Sequence, residues 1–254
     1  MSKNYELLQQ AEFGLGGVTP TFATGERTVG VEKFFPTTSE TFASVAPAVR
    51  EEALKLVQRL FLAPERPAPN AVLFAAIDGN IGCHRLCAIT ARLLAQNVAG
   101  SVCLVEGNFR SPSFSGIFGV EGDRGLVDSL RQEGSIRDFA TQIGPENLWL
   151  LSSGAPVQDS MALLNSDSLK DRFNEVRREF DHIVVNAPAL NEFADGMVLG
   201  RLVDGVVLVL EANATRREAA LRVTSNFRTT KIPILGAVLN NRTFPIPAAV
   251  YKRL

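Results

Sequence analysis

The chain is poor in the residues that most often carry chemistry. It has 2 His, 2 Tyr, 1 Trp and 3 Cys among 254 residues. Cys83, Cys87 and Cys103 are too few and too clustered for a disulfide framework, and they fit a reducing compartment. No apolar run reaches the roughly 18 residues that a membrane-spanning helix requires. The opening residues, MSKNYELLQQAEFG, lack the basic-then-apolar order of a secretory leader, so the expected location is cytoplasmic. An excess of one charge is missing as well. With 26 Lys+Arg against 27 Asp+Glu the net charge is −1, which removes any bulk electrostatic case for nucleic acid.

What is present is a pattern of buried strands and crossover helices. Residues 1–46 are rich in Gly, Thr, Ser, Pro and Glu and read as an irregular arm, docking through Phe22, Phe34 and Phe35. Residues 47–69 read as an amphipathic helix (47–62, with Val49, Ala53, Leu56, Val57 and Leu60 on one face) and a stiff linker carrying Pro64, Pro67 and Pro69. Over 70–254, unbroken apolar runs at 71–77, 101–106, 148–152, 182–187, 205–212 and 234–240 alternate with helical patterns at 83–97, 159–179, 191–202 and 215–228. Apolar runs without alternation mark strands covered on both faces, as in a doubly wound, mostly parallel α/β sheet.

Such a sheet binds its ligands beyond the C-terminal ends of its strands. The first of those ends runs Ile77-Asp78-Gly79-Asn80-Ile81-Gly82-Cys83-His84-Arg85 into a helix, the second carries Glu106-Gly107-Asn108, and the fourth carries Asn186-Ala187-Pro188. Gly79 and Gly82 suit a turn that brings backbone N–H groups to an anion at a helix N-terminus.

These segments resemble, in order, those of the bacterial tyrosine-kinase (BY-kinase) family, the cytoplasmic autokinase module of polysaccharide export, a P-loop NTPase group with a deviant Walker A motif. VLFAAIDGNIGCHRLCAITARLLAQ is similar to its Walker A strand, loop and helix, VCLVEGNFRSPSFSGIFGVEGDRGLVDSL to its second acidic motif and the glycine-rich stretch after it, and FDHIVVNAPAL to its Walker B. ADGMVLGRLVDGVVLVLEANATRREA and ILGAVLNNR resemble the later strands. The resemblance implies a P-loop fold, an ATP site and export-machinery partners, and the departures from it all fall on the chemistry. Cys83 matches the lysine that holds the phosphates and His84 the hydroxyl that holds Mg²⁺. Glu106 and Asn108 match two aspartates, and Asn186 matches the Walker B aspartate.

Asn240 matches the adenine-contacting position, Asp195 and Arg201 an acidic and a basic residue near the site, and Arg85 is the nearest substitute for the lost lysine charge. Glu52, Lys55 and Gln58 match an oligomerisation motif whose later positions are arginines, and Tyr251 is the tail's phosphoacceptor candidate. Phosphoryl transfer rests on positioning and charge stabilisation, so several losses together imply a catalytically impaired protein with no cofactor beyond residual ATP without Mg-dependent turnover. Its implied partners are a membrane-embedded polysaccharide co-polymerase or export protein, an active kinase paralogue, or further copies of itself, at the inner face of the membrane.

Four other readings use the same residues. An active ATP-binding kinase of that pathway would need Arg85 to stand in for the lysine. A Rossmann oxidoreductase would use Gly79-x-x-Gly82 with Glu106 on a ribose, although no Tyr lies between Tyr5 and Tyr251 for the mid-chain Tyr-x-x-x-Lys pattern. A metal or redox site would join Cys83, His84, Cys87 and Cys103, against simple packing of buried thiols. Hydrolysis would draw on His84, His182, Ser152, Ser153 and Ser160, without a Gly-x-Ser-x-Gly elbow.

Overall fold

A computed structural model describes residues 21–24, 45–63, 67–79, 82–122, 124–144, 147–154, 157 and 160–242. Its elements in chain order are β1 (Thr21–Thr24), α1 (Pro47–Phe61), β2 (Ala71–Ala76), α2 (Cys83–Asn97), β3 (Val102–Glu106), α3 (Phe114–Phe118), α4 (Leu126–Ser129), a 3₁₀ turn (Ile136–Phe139), β4 (Thr141–Gln142), β5 (Leu148–Leu151), α5 (Ser160–Leu164), α6 (Asp167–Glu179), β6 (His182–Ala187), α7 (Asp195–Leu199), β7 (Gly205–Glu211), α8 (Arg217–Thr229) and β8 (Ile234–Arg242). The strands form one sheet in the order β1-β8-β7-β2-β6-β3-β5-β4. Every pairing is parallel except β4 against β5.

The unbroken apolar runs have the expected cause. Leu73, Ala75 and Ile77 join Cys103, Val105, Val185 and the apolar faces of α6 and α8 in one core. Val72, Phe74 and Ala76 join Leu104, Val184, Val207 and the inner faces of α1 and α2 in the other. Alternate residues of one strand therefore feed two cores, and neither face meets water. α1 lies on α2, and its Ala53, Leu56, Val57, Leu60 and Phe61 are buried there.

The strand order excludes a dinucleotide-binding arrangement. In the Rossmann order the first two strands of the unit are neighbours. Here β6 lies between β2 and β3, pairing Val184 with Val72 on one side and Leu104 on the other. This insertion brings the ends of β2, β3 and β6 together at one rim.

Several boundaries differ from the sequence reading. The 159–179 helix breaks at Asn165-Ser166, where Ser166 Oγ donates to Leu163 O (2.7 Å) and accepts from Leu169 N (3.2 Å), capping α6. Of 191–202 only Asp195–Leu199 is helical. Residues 21–24, read as part of an irregular arm, form an edge strand on β8. Extended backbone at an open parallel edge gains ladder hydrogen bonds that composition does not signal. Phe34, Phe35, Pro64 and Tyr251 lie outside the described residues.

Candidate functional site

The loop after β2 leads into α2 through Gly82, which takes a left-handed conformation (φ 72°) as the helix N-cap. A side chain there would be strained. A Cβ at Gly82 would also sit 3.6 Å from Asn240 Nδ2, so the end of β8 borders the start of α2. Asn80 and Ile81, between the two glycines, lie outside the described residues.

Cys83, at the lysine position, is folded down among the apolar residues of α1 and α2 and is 7% exposed. His84 is half-buried, and burial followed by the neighbouring Arg85 charge holds its pKa below 6.5. Its imidazole is therefore neutral at pH 7 and adds no charge for phosphate. Arg85 is half-buried one position further along.

Glu106 ends β3 and is 1% exposed. Its Oε2 accepts from Ser113 N (2.8 Å), Ser113 Oγ (3.3 Å) and Phe114 N (3.3 Å). Its Oε1 accepts from Asn108 N (3.2 Å) and Asn186 Nδ2 (2.9 Å). A carboxylate offers about four lone-pair sites, so these donors saturate it. Burial raises its pKa, while the bonds from Ser113, Asn186, Asn108 and Phe114 pull it back down. The other side of the Asn186 amide is also engaged, because Oδ1 accepts from Cys87 Sγ at 3.8 Å. Asn108 uses its own Oδ1 to accept from Ser111 N (3.2 Å), a local turn bond. As arranged, Glu106, Asn108 and Asn186 do not fit a divalent cation. N–H groups fill the oxygen positions, and the amide presents hydrogens where a metal would need an oxygen.

Two partners escaped the sequence reading. Arg110 reaches the fully buried Asp195 through Nε (3.3 Å to Oδ2) and a terminal nitrogen (3.4 Å to Oδ1), and stacks 4.6 Å over Phe193. Ser160, one of the hydrolytic candidates, instead donates to Asp195 Oδ2 at 3.1 Å. Arg201, the matched basic position, lies elsewhere on the chain from this pair. It is exposed in the turn leading to Asp204, whose carboxylate accepts from Asn70 N and Ala71 N at the start of β2. The second surprise is the segment after β6. Asn191 Nδ2 donates to Asp78 Oδ1 (2.7 Å), and Glu192 Oε1 accepts from Gly79 N (3.1 Å).

The rival constellations come apart in three dimensions. Cys83 and Cys87 face the α1/α2 core, whereas Cys103 faces the opposite one. Among the described residues no three His, Cys, Asp or Glu side chains are placed to hold a metal. His182 opens β6 opposite Val102, at the end of the sheet away from His84, and packs edge-on to Phe61. Glu106 is saturated and cannot take a ribose. On α1, Lys55 pairs with Glu52 (2.8 Å) and Glu51 (3.6 Å) of its own helix, and Gln58 is exposed.

Searched against known families, the chain matches no family model. Among curated proteins it is 26% identical over 182 residues to the tyrosine-protein kinase YwqD of Bacillus subtilis, covering 72% of this chain and 76% of that protein. It is 27% identical over 137 residues to the putative tyrosine-protein kinase CapB of Staphylococcus aureus, covering 54% of this chain and 60% of that one. Among solved structures, the kinase domain of the Escherichia coli tyrosine kinase ETK superposes with a TM-score of 0.81 over 98% of both chains at 17% identity. The cell division ATPase MinD of Pyrococcus furiosus gives 0.57 over 67% of this chain and 71% of its own at 21% identity. No described helix is long and apolar enough to cross a membrane. In sequence this chain is similar to bacterial tyrosine-protein kinases, and it shares the P-loop NTPase fold of their kinase domains.

Proposed function

We infer that this chain is a tyrosine-kinase relative that has given up Mg-ATP turnover and serves as a non-catalytic component of a polysaccharide synthesis and export assembly. Its partner would be a membrane-embedded co-polymerase or export protein, or an active kinase of the same pathway. The observation that carries this reading is the saturated carboxylate of Glu106, hydrogen-bonded by the amide that stands in for the Walker B aspartate. A kinase of this fold needs oxygen ligands for Mg²⁺ and a lysine on the phosphates. Here the first position is closed by N–H donors, and the second holds the buried thiol of Cys83. Losing one such electrostatic contributor costs on the order of 10²–10³ in rate, so joint loss leaves no useful phosphoryl transfer.

The polysaccharide setting rests on the resemblance to the kinase relatives and not on any residue of the site. Lys55, tied to its own helix, also supports a looser self-association than paired arginines would give. The test is Mg-ATP turnover by the purified chain, read as phosphate release and as transfer to tyrosine. No turnover is expected, together with co-purification alongside an export component. Turnover that disappears on Arg85→Ala or Glu106→Gln would establish the active-kinase reading instead.

A further inference from the structure

α6 and α8 bury their apolar residues in one core, on the side of the sheet away from α1 and α2. Their outer faces differ in charge. α6 carries Lys170, Arg172, Arg177 and Arg178 against Asp167, Asp171, Glu175 and Glu179, and the pairs Lys170–Asp167 (2.7 Å) and Arg172–Glu175 (2.8 Å) lace it. That balance is the pattern of an ordinary solvated helix. α8 and its flanks carry Arg216, Arg217, Arg222, Arg228 and Lys231 against Glu218 alone, and all six are exposed. The whole chain has a net charge of −1, so the rest of it holds the compensating negative charge. Among the described residues no ion pair engages Arg216, Arg222 or Lys231. Ala219, Ala220, Val223 and Phe227 turn inward, which sends Arg217, Leu221 and Arg228 outward along one stripe at i, i+4 and i+11. Leu221 is 48% exposed, and Leu62 is the other large apolar side chain open to solvent among the described residues.

We propose that the outer face of α8 is a docking surface for an anionic lipid bilayer. Its guanidinium groups meet headgroup phosphates, and Leu221 enters the boundary between headgroups and acyl chains. Two features favour lipid over other polyanions. A phosphodiester backbone offers nothing apolar to Leu221, and the outer stripe of α8 has no aromatic ring on which a base could stack. Peptide recognition uses a groove or a sheet edge, whereas the outer face of a helix is a ridge, suited to a broad charged plane. The inner face of α8 is committed to the core, so the contact is shallow, electrostatic and weakened by salt. α1 and α2 lie on the opposite face, and a docked chain keeps them open to a protein partner. This goes beyond the function proposed above, which reaches the membrane only through a partner, and it does not depend on ATP turnover.

The experiment sediments the intact chain with vesicles of phosphatidylcholine alone and of phosphatidylcholine mixed with phosphatidylglycerol, at low and at physiological salt. The chain should sediment with the mixed vesicles and not with the neutral ones, and less so as salt rises. Arg216→Gln combined with Arg222→Gln should weaken mixed-vesicle binding about 25-fold, or about fivefold for each cation. Leu221→Gln should weaken it about threefold. All three positions are exposed, and the thermal transition checks that the variants fold. Binding to neither vesicle, equal binding to both, or mixed-vesicle binding that either variant leaves unchanged would overturn the proposal. So would duplex DNA or polyglutamate that holds the chain more tightly than the mixed vesicles and loses it in the double variant, since the face would then belong to a nucleic acid or an acidic protein. Mg-ATP turnover by the wild-type chain would defeat the non-catalytic reading and leave the lipid surface standing, so the two failures are distinguishable.

Discussion

Asn186 and Glu106 are register partners on adjacent parallel strands, and the amide of one donates to the buried carboxylate of the other at 2.9 Å. The protein satisfies this buried pair by itself, with no outside ligand. The acceptor-only carboxylate of Glu106 sets the amide's orientation, and Cys87 Sγ meets the remaining Oδ1 at 3.8 Å.

Asn186→Asp tests this directly. It removes a donor and brings a second carboxylate against the buried one, which should cost about 3 kcal/mol in urea unfolding at neutral pH. The sign of its pH dependence follows from Glu106. Burial raises that carboxyl above 4.5, so the folded state holds its proton more tightly than the unfolded chain does. Stability from this group therefore falls as pH rises from the ordinary value through the raised one. Asn186 opposes the rise, so its loss should steepen the fall, and the deficit of the variant should shrink on acidification. An Asn186→Asp variant as stable as wild type at neutral pH would show that the pair carries little energy.

Arg110 and Asp195 make the second test. Arg110→Ala would leave a fully buried carboxylate with Ser160 as its remaining side-chain donor. The expected loss is on the order of 3 kcal/mol in denaturant unfolding, below the upper range for buried pairs because the Arg110 side chain is 33% exposed. Arg110→Lys should recover only part of it, since one ammonium cannot reproduce two planar contacts or the stacking on Phe193. Full recovery with lysine would show that charge alone is at stake.

Acid should destabilise the chain through its histidines. Burial is the main cause lowering the pKa of both His84 and His182, with Arg85 adding to the first and Asp181 opposing at the second. Between the lowered values and 6.5 the unfolded chain binds more protons than the folded one, so this stability is present above 6.5 and lost as pH falls through the folded values. His182→Phe keeps a ring against Phe61 and removes the unpartnered Nδ1. It should flatten the decline in urea midpoint between about pH 7.5 and about pH 5.5. An unchanged slope would assign the acid sensitivity elsewhere.

Cys87 and Cys103 should resist thiol reagents until the chain unfolds. Both are 0% exposed, and burial pushes both thiols far up, leaving almost no thiolate at neutral pH. Labelling followed by mass spectrometry should track the unfolding transition. Rapid modification of either in native buffer would mean that the core opens locally.

The sequence by itself determined six strands of the eight-stranded sheet, the helix over 83–97 and the residue types at the rim. Each of these is local. An apolar run such as 71–77 declares a strand covered on both faces, and Cys83, His84 and Asn186 cannot supply an ammonium, a hydroxyl or a carboxylate wherever they lie. Tertiary structure alone decided what fills the resulting gaps. Asn186 meets Glu106 across 80 residues, and Glu192 meets Gly79 across 113, distances over which no periodicity speaks. Cys103 and Cys87 were separated by strand parity together with the choice of face for α2, and only the second needs the fold. Helix ends near 165 and 195 were missed for a related reason. The competing hydrogen bonds of Ser166, and the pairing of Asp195 with Arg110 and Ser160, outweigh a propensity worth at most about 0.7 kcal/mol per ordinary residue.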